Sequence, residues 1–177
     1  MSWIESGMII QVATPESEYR AFLESLEFEN VVFKKKLAFD LAVSAGGIAI
    51  ASIEGWTILW GALALVAEER LRELSTTANI FVFLISEKTS SYMFEWWTNG
   101  TQKRKRFIEE MDNNPSLPEE IEAFQEEDDD ESRFYAIMEK LTLPFRTVRK
   151  PKYHVFNVKD ELVEVGDDDG LDELDDD

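Results

Sequence analysis

Cysteine is absent from the 177-residue chain, and histidine occurs once, at position 154. The lack of thiols excludes disulfide bonds, cysteine nucleophiles, zinc–thiolate sites and iron–sulfur clusters. His154 alternates with Tyr153 and Val155 in a predicted strand, and no serine lies in the G-x-S-x-G setting of a nucleophile elbow. The sequence therefore favours a structural or exposed histidine over a catalytic one, and it gives no support to a Ser–His–Asp triad.

Motifs that bind nucleotides or calcium are also missing. Neither G-x-G-x-x-G nor G-x-x-x-x-G-K-[ST] occurs, and Gly46-Gly47 is too short for a phosphate-binding loop. The acidic end GDDDGLDELDDD fails the EF-hand pattern, because aligning Gly170 at position 6 puts Val165 at position 1, where a carboxylate is required. We therefore expect no cofactor and no specific metal site, and only weak condensation of cations on this segment.

One long apolar run, residues 41–67, contains a single charged side chain, Glu54. It is long enough to cross a membrane as a helix, so a membrane span is one interpretation. Period-2 alternation on both sides of this glutamate instead favours two strands, 48–53 and 56–60, joined by a tight turn. The sequence from Leu63 then changes to helical spacing. We prefer the hairpin followed by a helix and expect a soluble protein. Because the N-terminal residues lack the pattern of a secretory signal, a cytoplasmic location is the default expectation.

The remaining periodicity predicts an α+β fold, with a largely antiparallel sheet and helices packed against it. Further strands are predicted at 8–12, 31–41, 80–85 and 153–158, with a second hairpin around Asn99-Gly100. Further helices are predicted after a Thr14-Pro15 start signal, from a Ser116/Glu119 capping box, and around Phe134 to Leu141. The continuous apolar run 80–85 suits the middle of the sheet. We expect one domain over residues 1–158 and a disordered acidic tail over residues 159–177.

The net charge of −19 is unevenly distributed. Residues 1–108 carry 13 acidic and 11 basic side chains, a net of −2, whereas residues 109–177 carry 24 acidic and 7 basic side chains, a net of −17. The acidic excess lies in two blocks, 119–131 and 159–177. Such charge raises the rate of association with a basic partner and argues against direct binding of nucleic acid, which is itself a polyanion.

Basic residues are clustered as well, at 34–36, 103–106 and 146–152. The KRKR run beside Trp96-Trp97 has the composition of a nucleic-acid surface, but the acidic excess favours partial neutralisation of these residues by acidic segments of the same chain. Neighbouring strand residues point to opposite faces, so one tryptophan should face the helices and the other the opposite side of the sheet. An exposed tryptophan would be an anchor for a protein partner, and the alternative is that both are packed in the core.

Three classes of function remain open. We prefer a non-enzymatic acidic protein-binding module, such as an immunity protein or inhibitor that neutralises a basic toxin or nuclease. A regulatory or accessory subunit of a larger assembly is the alternative, and an enzyme that uses carboxylates and a divalent metal is the third class. The residues predicted to bind the partner are Trp96, Trp97, Glu126, Glu127, Asp128, Asp129, Asp130, Asp167, Asp168 and Asp169.

Overall fold

The structure, a computed structural model, describes residues 4–61, 66–86, 88–108 and 114–158. These residues form an α+β fold, which confirms the predicted class. The strands are β1 (Ile4–Ile10), β2 (Val32–Ala38), β3 (Ile48–Ile53), β4 (Trp56–Trp60), β5 (Ile80–Ser86), β6 (Ser91–Thr98), β7 (Thr101–Ile108) and β8 (Lys152–Asn157). The helices are α1 (Tyr19–Ser25), α2 (Phe39–Val43), α3 (Glu68–Leu74), α4 (Pro118–Glu126), α5 (Asp130–Leu141) and α6 (Phe145–Val148), with a 3₁₀ turn at Glu16–Glu18.

All eight strands pair antiparallel in one sheet, in the order β2-β8-β3-β4-β1-β5-β6-β7. The central strands are β4 and β1, while β2 and β7 lie at the edges. The apolar run 80–85 was predicted to lie in the middle of the sheet. It forms β5, which lies beside the central strand β1 and two strands from the β7 edge. Its near-continuous apolar sequence still has a physical reason, because side chains on both of its faces are largely buried.

Helices cover both faces of the sheet, so the described chain has three layers. On the first face, side chains such as Trp60 and Phe83 pack against α2, α4, α5 and α6. On the second face, side chains such as Met8 and Ile50 pack against α1 and α3. Successive residues of one strand belong to different cores, as Met8 and Ile9 do, which is the period-2 geometry of a strand buried on both sides.

Two tight turns fix the hairpins that the sequence predicts. Glu54 and Gly55 both have positive φ, at 51° and 83°, and join β3 to β4. Asn99 and Gly100, at 51° and 71°, join β6 to β7 in the same way. Positive φ at both central residues matches the twist of an antiparallel pair. The apolar run 41–67 is thus largely a helical turn and a hairpin, and no described helix is long and apolar enough to cross a membrane.

The predicted start of the first helix at Thr14-Pro15 is wrong. The α-helix begins four residues later, at Tyr19, after the 3₁₀ turn. Thr14 is 7% exposed, and its hydroxyl lies 2.8 Å from the Thr57 hydroxyl of β4. A tertiary hydrogen bond therefore replaces the helix cap that the local sequence suggested.

The predicted strand 31–41 is too long, because β2 ends at Ala38 and α2 begins at Phe39. The helical turn places Phe39 in the first core, where its ring lies 5.1 Å from the ring of Trp60. Burial of Phe39 and Ala42, three residues apart, needs helical spacing rather than strand alternation.

The Ser116/Glu119 capping box is also wrong. Helix α4 begins at Pro118, with Leu117 in the cap position and no side-chain cap. The Ser116 backbone N–H instead donates to Glu120 Oε2 at 3.2 Å. The helix predicted from Leu63 begins at Glu68 among the described residues, and its predicted Glu68–Arg72 pair is present at 2.9 Å.

Candidate functional site

The acidic block 119–131 forms the outer layer of the first face. Residues 118–141, which include α4 and α5, carry ten acidic and two basic side chains, a net charge of −8. Four of their apolar residues, Ala123, Phe134, Ile137 and Met138, are fully buried against the sheet. Because the apolar stripe of each amphipathic helix faces the core, most of the carboxylates are directed outward to solvent, and Glu120 is the buried exception.

The loop between α4 and α5 is ordered by Asp129. Its carboxylate accepts hydrogen bonds from the Ser132 backbone N–H at 2.8 Å and from the Ser132 hydroxyl at 2.7 Å. These bonds, the backbone bond first, lower the pKa of the Asp129 carboxyl. Asp129 thus serves as the N-cap of α5, a structural role, although the sequence placed it among the partner-binding residues.

Two further predicted site residues are partly neutralised within the chain. Asp130 lies 3.3 Å from the Arg133 guanidinium, and Glu126 lies 2.9 Å from Lys140 Nζ. Lys140 also pairs with Glu122, and the hydrogen bonds from Lys140 to these two glutamates raise its pKa. Glu126 and Asp130 therefore present less net charge to a partner than their positions in the sequence suggest.

Four carboxylates form what we call the acidic surface: Glu127, Asp128, Glu131 and Glu139. None of their side chains makes an ion pair with another residue of the described chain. Glu127, Glu131 and Glu139 surround an open hollow of about 370 Å³, which Tyr135 also lines. Glu131, Tyr135 and Glu139 are spaced four residues apart and share the outward side of α5. This surface places negative charge around an aromatic ring.

A second cavity of about 370 Å³ adjoins the hollow and shares Glu131 and Tyr135 with it. We call it the aromatic cleft. It lies where β1, α2, α5 and α6 meet. Its walls include three rings, three carboxylates and one guanidinium: Phe39, Tyr135, Phe145, Glu5, Asp40, Glu131 and Arg149.

The two tryptophans lie on opposite faces of β6, as their adjacent positions predicted. Trp97 is fully buried in the second core, and its indole Nε1 donates to Glu95 Oε2 at 2.9 Å. Trp96 is half-buried and packs against the first core. Trp97 has no surface to offer a partner, and only part of the Trp96 ring is accessible.

The third group of predicted site residues, Asp167 to Asp169, belongs to the acidic tail and lies outside the described residues. The prediction of disorder for residues 159–177 also lies outside them. The tail nevertheless contributes 11 acidic side chains and one lysine to the charge of the chain.

The basic clusters have carboxylate neighbours in the same chain. Arg104 and Arg106 bind Glu120, which comes from the first acidic block. Lys36 lies 2.7 Å from Glu16, and this hydrogen bond lowers the pKa of Glu16. Such contacts give the KRKR run a structural role in joining β7 to α4.

His154 is surrounded by aromatic rings and one carboxylate. His154 Nε2 lies 3.4 Å from Glu16, and its ring packs edge-on against Tyr19 at 5.1 Å and beside Phe33 at 5.4 Å. It therefore has an aromatic environment with no serine nucleophile among these contacts. In the described ranges, no group of three or more His, Asp or Glu side chains is arranged to hold a metal ion.

Sequence reasoning missed the members of the aromatic cleft that come from distant segments. Glu5, Asp40 and Arg149 lie far apart in the chain and meet only through the order of strands and helices. The spacing of Glu131, Tyr135 and Glu139 was a signal that could have been used, because positions i, i+4 and i+8 share one helix face.

Comparisons of the chain with protein-family models, with curated proteins and with solved structures give no match. The functional assignment therefore depends on the chemistry of the acidic surface and the adjoining cleft.

Proposed function

We propose that this protein is a non-enzymatic, acidic protein-binding module that neutralises a basic partner, such as a toxin or nuclease, in the cytoplasm. The observation that carries this proposal is the acidic surface. Its four carboxylates lack cationic partners in the described chain, while neighbouring carboxylates such as Glu122 and Glu126 are paired. Unneutralised charge on α5 and on the segment between α4 and α5 is available to an external cation.

The physical basis of recognition is electrostatic complementarity. A carboxylate array attracts a basic protein before contact, and this attraction raises the association rate. In a complex with a nuclease, these carboxylates take the place of the substrate phosphates. The bound nuclease therefore cannot bind nucleic acid. Because α5 is anchored in the core by Phe134, Ile137 and Met138, its outward residues are held on a rigid element.

A test of the acidic surface needs two variants that remove the same number of negative charges, one from this surface and one from elsewhere in the chain. The surface variant is Glu127→Gln, Asp128→Asn and Glu139→Gln combined. The matched control is Glu29→Gln, Glu54→Gln and Glu69→Gln, which removes the same charge from exposed positions elsewhere that make no ion pair within the described ranges. Equal net charge makes non-specific effects equal.

We expect immobilised wild-type protein to retain a basic protein from lysate at low salt and to release it as salt rises. The control variant should retain the same protein, and the surface variant should lose most of it. The captured protein, once purified, should lose its own activity when saturated with this chain. Equal retention by the surface and control variants would contradict the proposal.

The acidic tail is proposed to steer the partner, with Asp167 to Asp169 among the steering residues. Deleting residues 167–177 should slow association with the captured partner and flatten its dependence on salt, since exposed charges act mainly on the association rate. Substituting the partly accessible Trp96 by Ala tests the anchor prediction, because loss of an anchor should accelerate dissociation. Surface plasmon resonance measures both rates, and an unchanged association rate at low salt removes the steering role.

The alternative, a regulatory or accessory subunit, shares the acidic surface but differs in outcome. In that case the captured partner would bind stoichiometrically and keep or gain activity. The activity measurement on the purified complex therefore distinguishes the two functions.

A further inference from the structure

The aromatic cleft contains a guanidinium of the protein itself. Arg149 Nη2 lies 2.9 Å and 3.1 Å from the two carboxylate oxygens of Asp40. The guanidinium carbon of Arg149 lies 5.7 Å from the ring centroid of Phe39 and 5.9 Å from that of Phe145. One half of the cleft thus already combines a carboxylate with aromatic rings to hold an arginine.

The other half of the cleft repeats this chemistry. The Tyr135 ring lies 4.6 Å from the Phe145 ring, at an interplanar angle of 33°, so it continues the aromatic wall. Glu131 and Glu5 line the same cavity. Glu131 is exposed and makes no ion pair in the described part of the chain. With three carboxylates and one guanidinium, the charged lining has a net charge of −2.

We propose that this half of the cleft, bounded by Tyr135, Glu131 and Glu5, binds an arginine side chain of the basic partner. The inference rests on the proposed function and specifies how the partner is held. A planar guanidinium stacks on an aromatic ring and is weakly hydrated, whereas a lysine ammonium is a compact and strongly hydrated charge. The cavity of about 370 Å³ is large enough for one such side chain beside Arg149.

Binding of an arginine in the cleft gives a role to Tyr135, which the carboxylates of the acidic surface surround. Carboxylates alone attract any cation, and exposed ion pairs contribute little affinity. A ring beside the carboxylates adds a cation–π contact and a flat surface that selects guanidinium. Steering therefore comes from the acidic surface as a whole, while selectivity comes from Tyr135 and Glu131.

The direct test uses capped amino-acid amides rather than the partner. Titration of the ¹⁵N-labelled protein with N-acetyl-arginine amide should shift amides of α5, α6 and the Asp40 turn, with millimolar affinity typical of one such contact. N-acetyl-lysine amide should bind at least about 3-fold more weakly, because it lacks the stacking surface. N-acetyl-citrulline amide, which is flat but uncharged, should give no shifts at these positions.

Three variants test which residues form the arginine site. Glu131→Gln should weaken binding of the arginine amide about 3-fold or more, and Tyr135→Leu should reduce its preference over the lysine amide. Glu69→Gln is the matched control, because it removes the same charge from an exposed position on α3, outside both the cleft and the acidic surface. Thermal unfolding confirms that each variant is folded, and the exposed Glu131 variant keeps the test valid if Tyr135→Leu proves unstable.

Equal binding of the lysine and arginine amides, or equal weakening by Glu131→Gln and Glu69→Gln, would overturn the assignment. The proposed function has a separate outcome. In that outcome the basic partner is retained by the wild type, lost by the Glu127/Asp128/Glu139 variant, and retained normally by the Glu131→Gln and Tyr135→Leu variants. That result would support the proposed function and contradict the arginine site.

Discussion

Glu120 and Arg106 form a buried ion pair that joins α4 to the edge strand β7. Arg106 Nη1 lies 2.9 Å from Glu120 Oε2, and the side chains are 2% and 0% exposed. Glu120 Oε1 also accepts from Arg104 Nε at 2.8 Å. The Arg106 guanidinium lies 4.7 Å from the centroid of the Phe124 ring. One carboxylate therefore bridges two arginines where the acidic helices meet the sheet.

Glu120→Gln should lower the free energy of unfolding by about 3 kcal/mol, because it removes a fully buried carboxylate that is hydrogen-bonded to two guanidinium groups. Urea denaturation followed by tryptophan fluorescence measures the change. Glu119→Gln, at the neighbouring half-exposed position, is the control and should change stability by less than about 0.5 kcal/mol. A loss below about 1 kcal/mol for Glu120→Gln would show that the pair is not important for stability.

The two hairpin turns have different residues at the equivalent left-handed position, Glu54 in one and Asn99 in the other. Glu54 adopts a φ of 51°, a left-handed conformation that Asn tolerates better than Glu. Glu54→Asn should therefore raise the free energy of unfolding by about 0.5–1 kcal/mol, and Asn99→Glu should lower it by a similar amount. Thermal unfolding of both variants checks the signs, and two changes of the same sign would contradict the explanation.

The Thr57 hydroxyl lies 2.6 Å from the Val12 carbonyl and 2.8 Å from the Thr14 hydroxyl in a buried position. Thr57→Val keeps the shape of the side chain but removes these bonds, so it should lower the free energy of unfolding by about 1–2 kcal/mol. Thr101→Val, at an exposed position of β7, is the control. Chemical denaturation that shows equal effects for the two variants would assign no role to the hydroxyl cluster.

The pKa of Asp129 is lowered in the folded protein, so its ionised form stabilises the fold. This contribution is complete above the pKa of the carboxyl in the unfolded chain, about 3.9, and is lost as the pH falls through the lower folded value. Asp129→Ala should therefore be less stable than wild type at neutral pH, and the difference should shrink below about pH 4.

Urea denaturation at neutral and acidic pH tests the role of Asp129. Asp128→Ala is the control, because its exposed side chain makes no cap in the described structure. A difference between Asp129→Ala and wild type that stays constant with pH would mean that the charge of the cap is unimportant.

The sequence by itself determined the two hairpins and the approximate positions of the strands, but not the bounds of β1 and β2. Alternation around Glu54 and the Asn99-Gly100 pair are local signals, because side-chain direction along a strand and positive φ depend on adjacent residues only. The same local rule placed Trp96 and Trp97 on opposite faces. Helical spacing of apolar residues also predicted the helix around Phe134 to Leu141, since amphipathic spacing assigns the apolar stripe to the core.

Only the tertiary structure decided how those elements meet. Thr14 has the sequence of a helix cap, but Thr57 is 43 residues away and binds its hydroxyl instead. The strand order that brings Glu5 close to Asp40 and Tyr135 depends on pairing between distant segments, which local periodicity does not specify. The sequence shows the charge of the acidic block directly. Which of its carboxylates form ion pairs depends on the packing of the helices, because packing decides which cations lie within a few ångströms of each carboxylate.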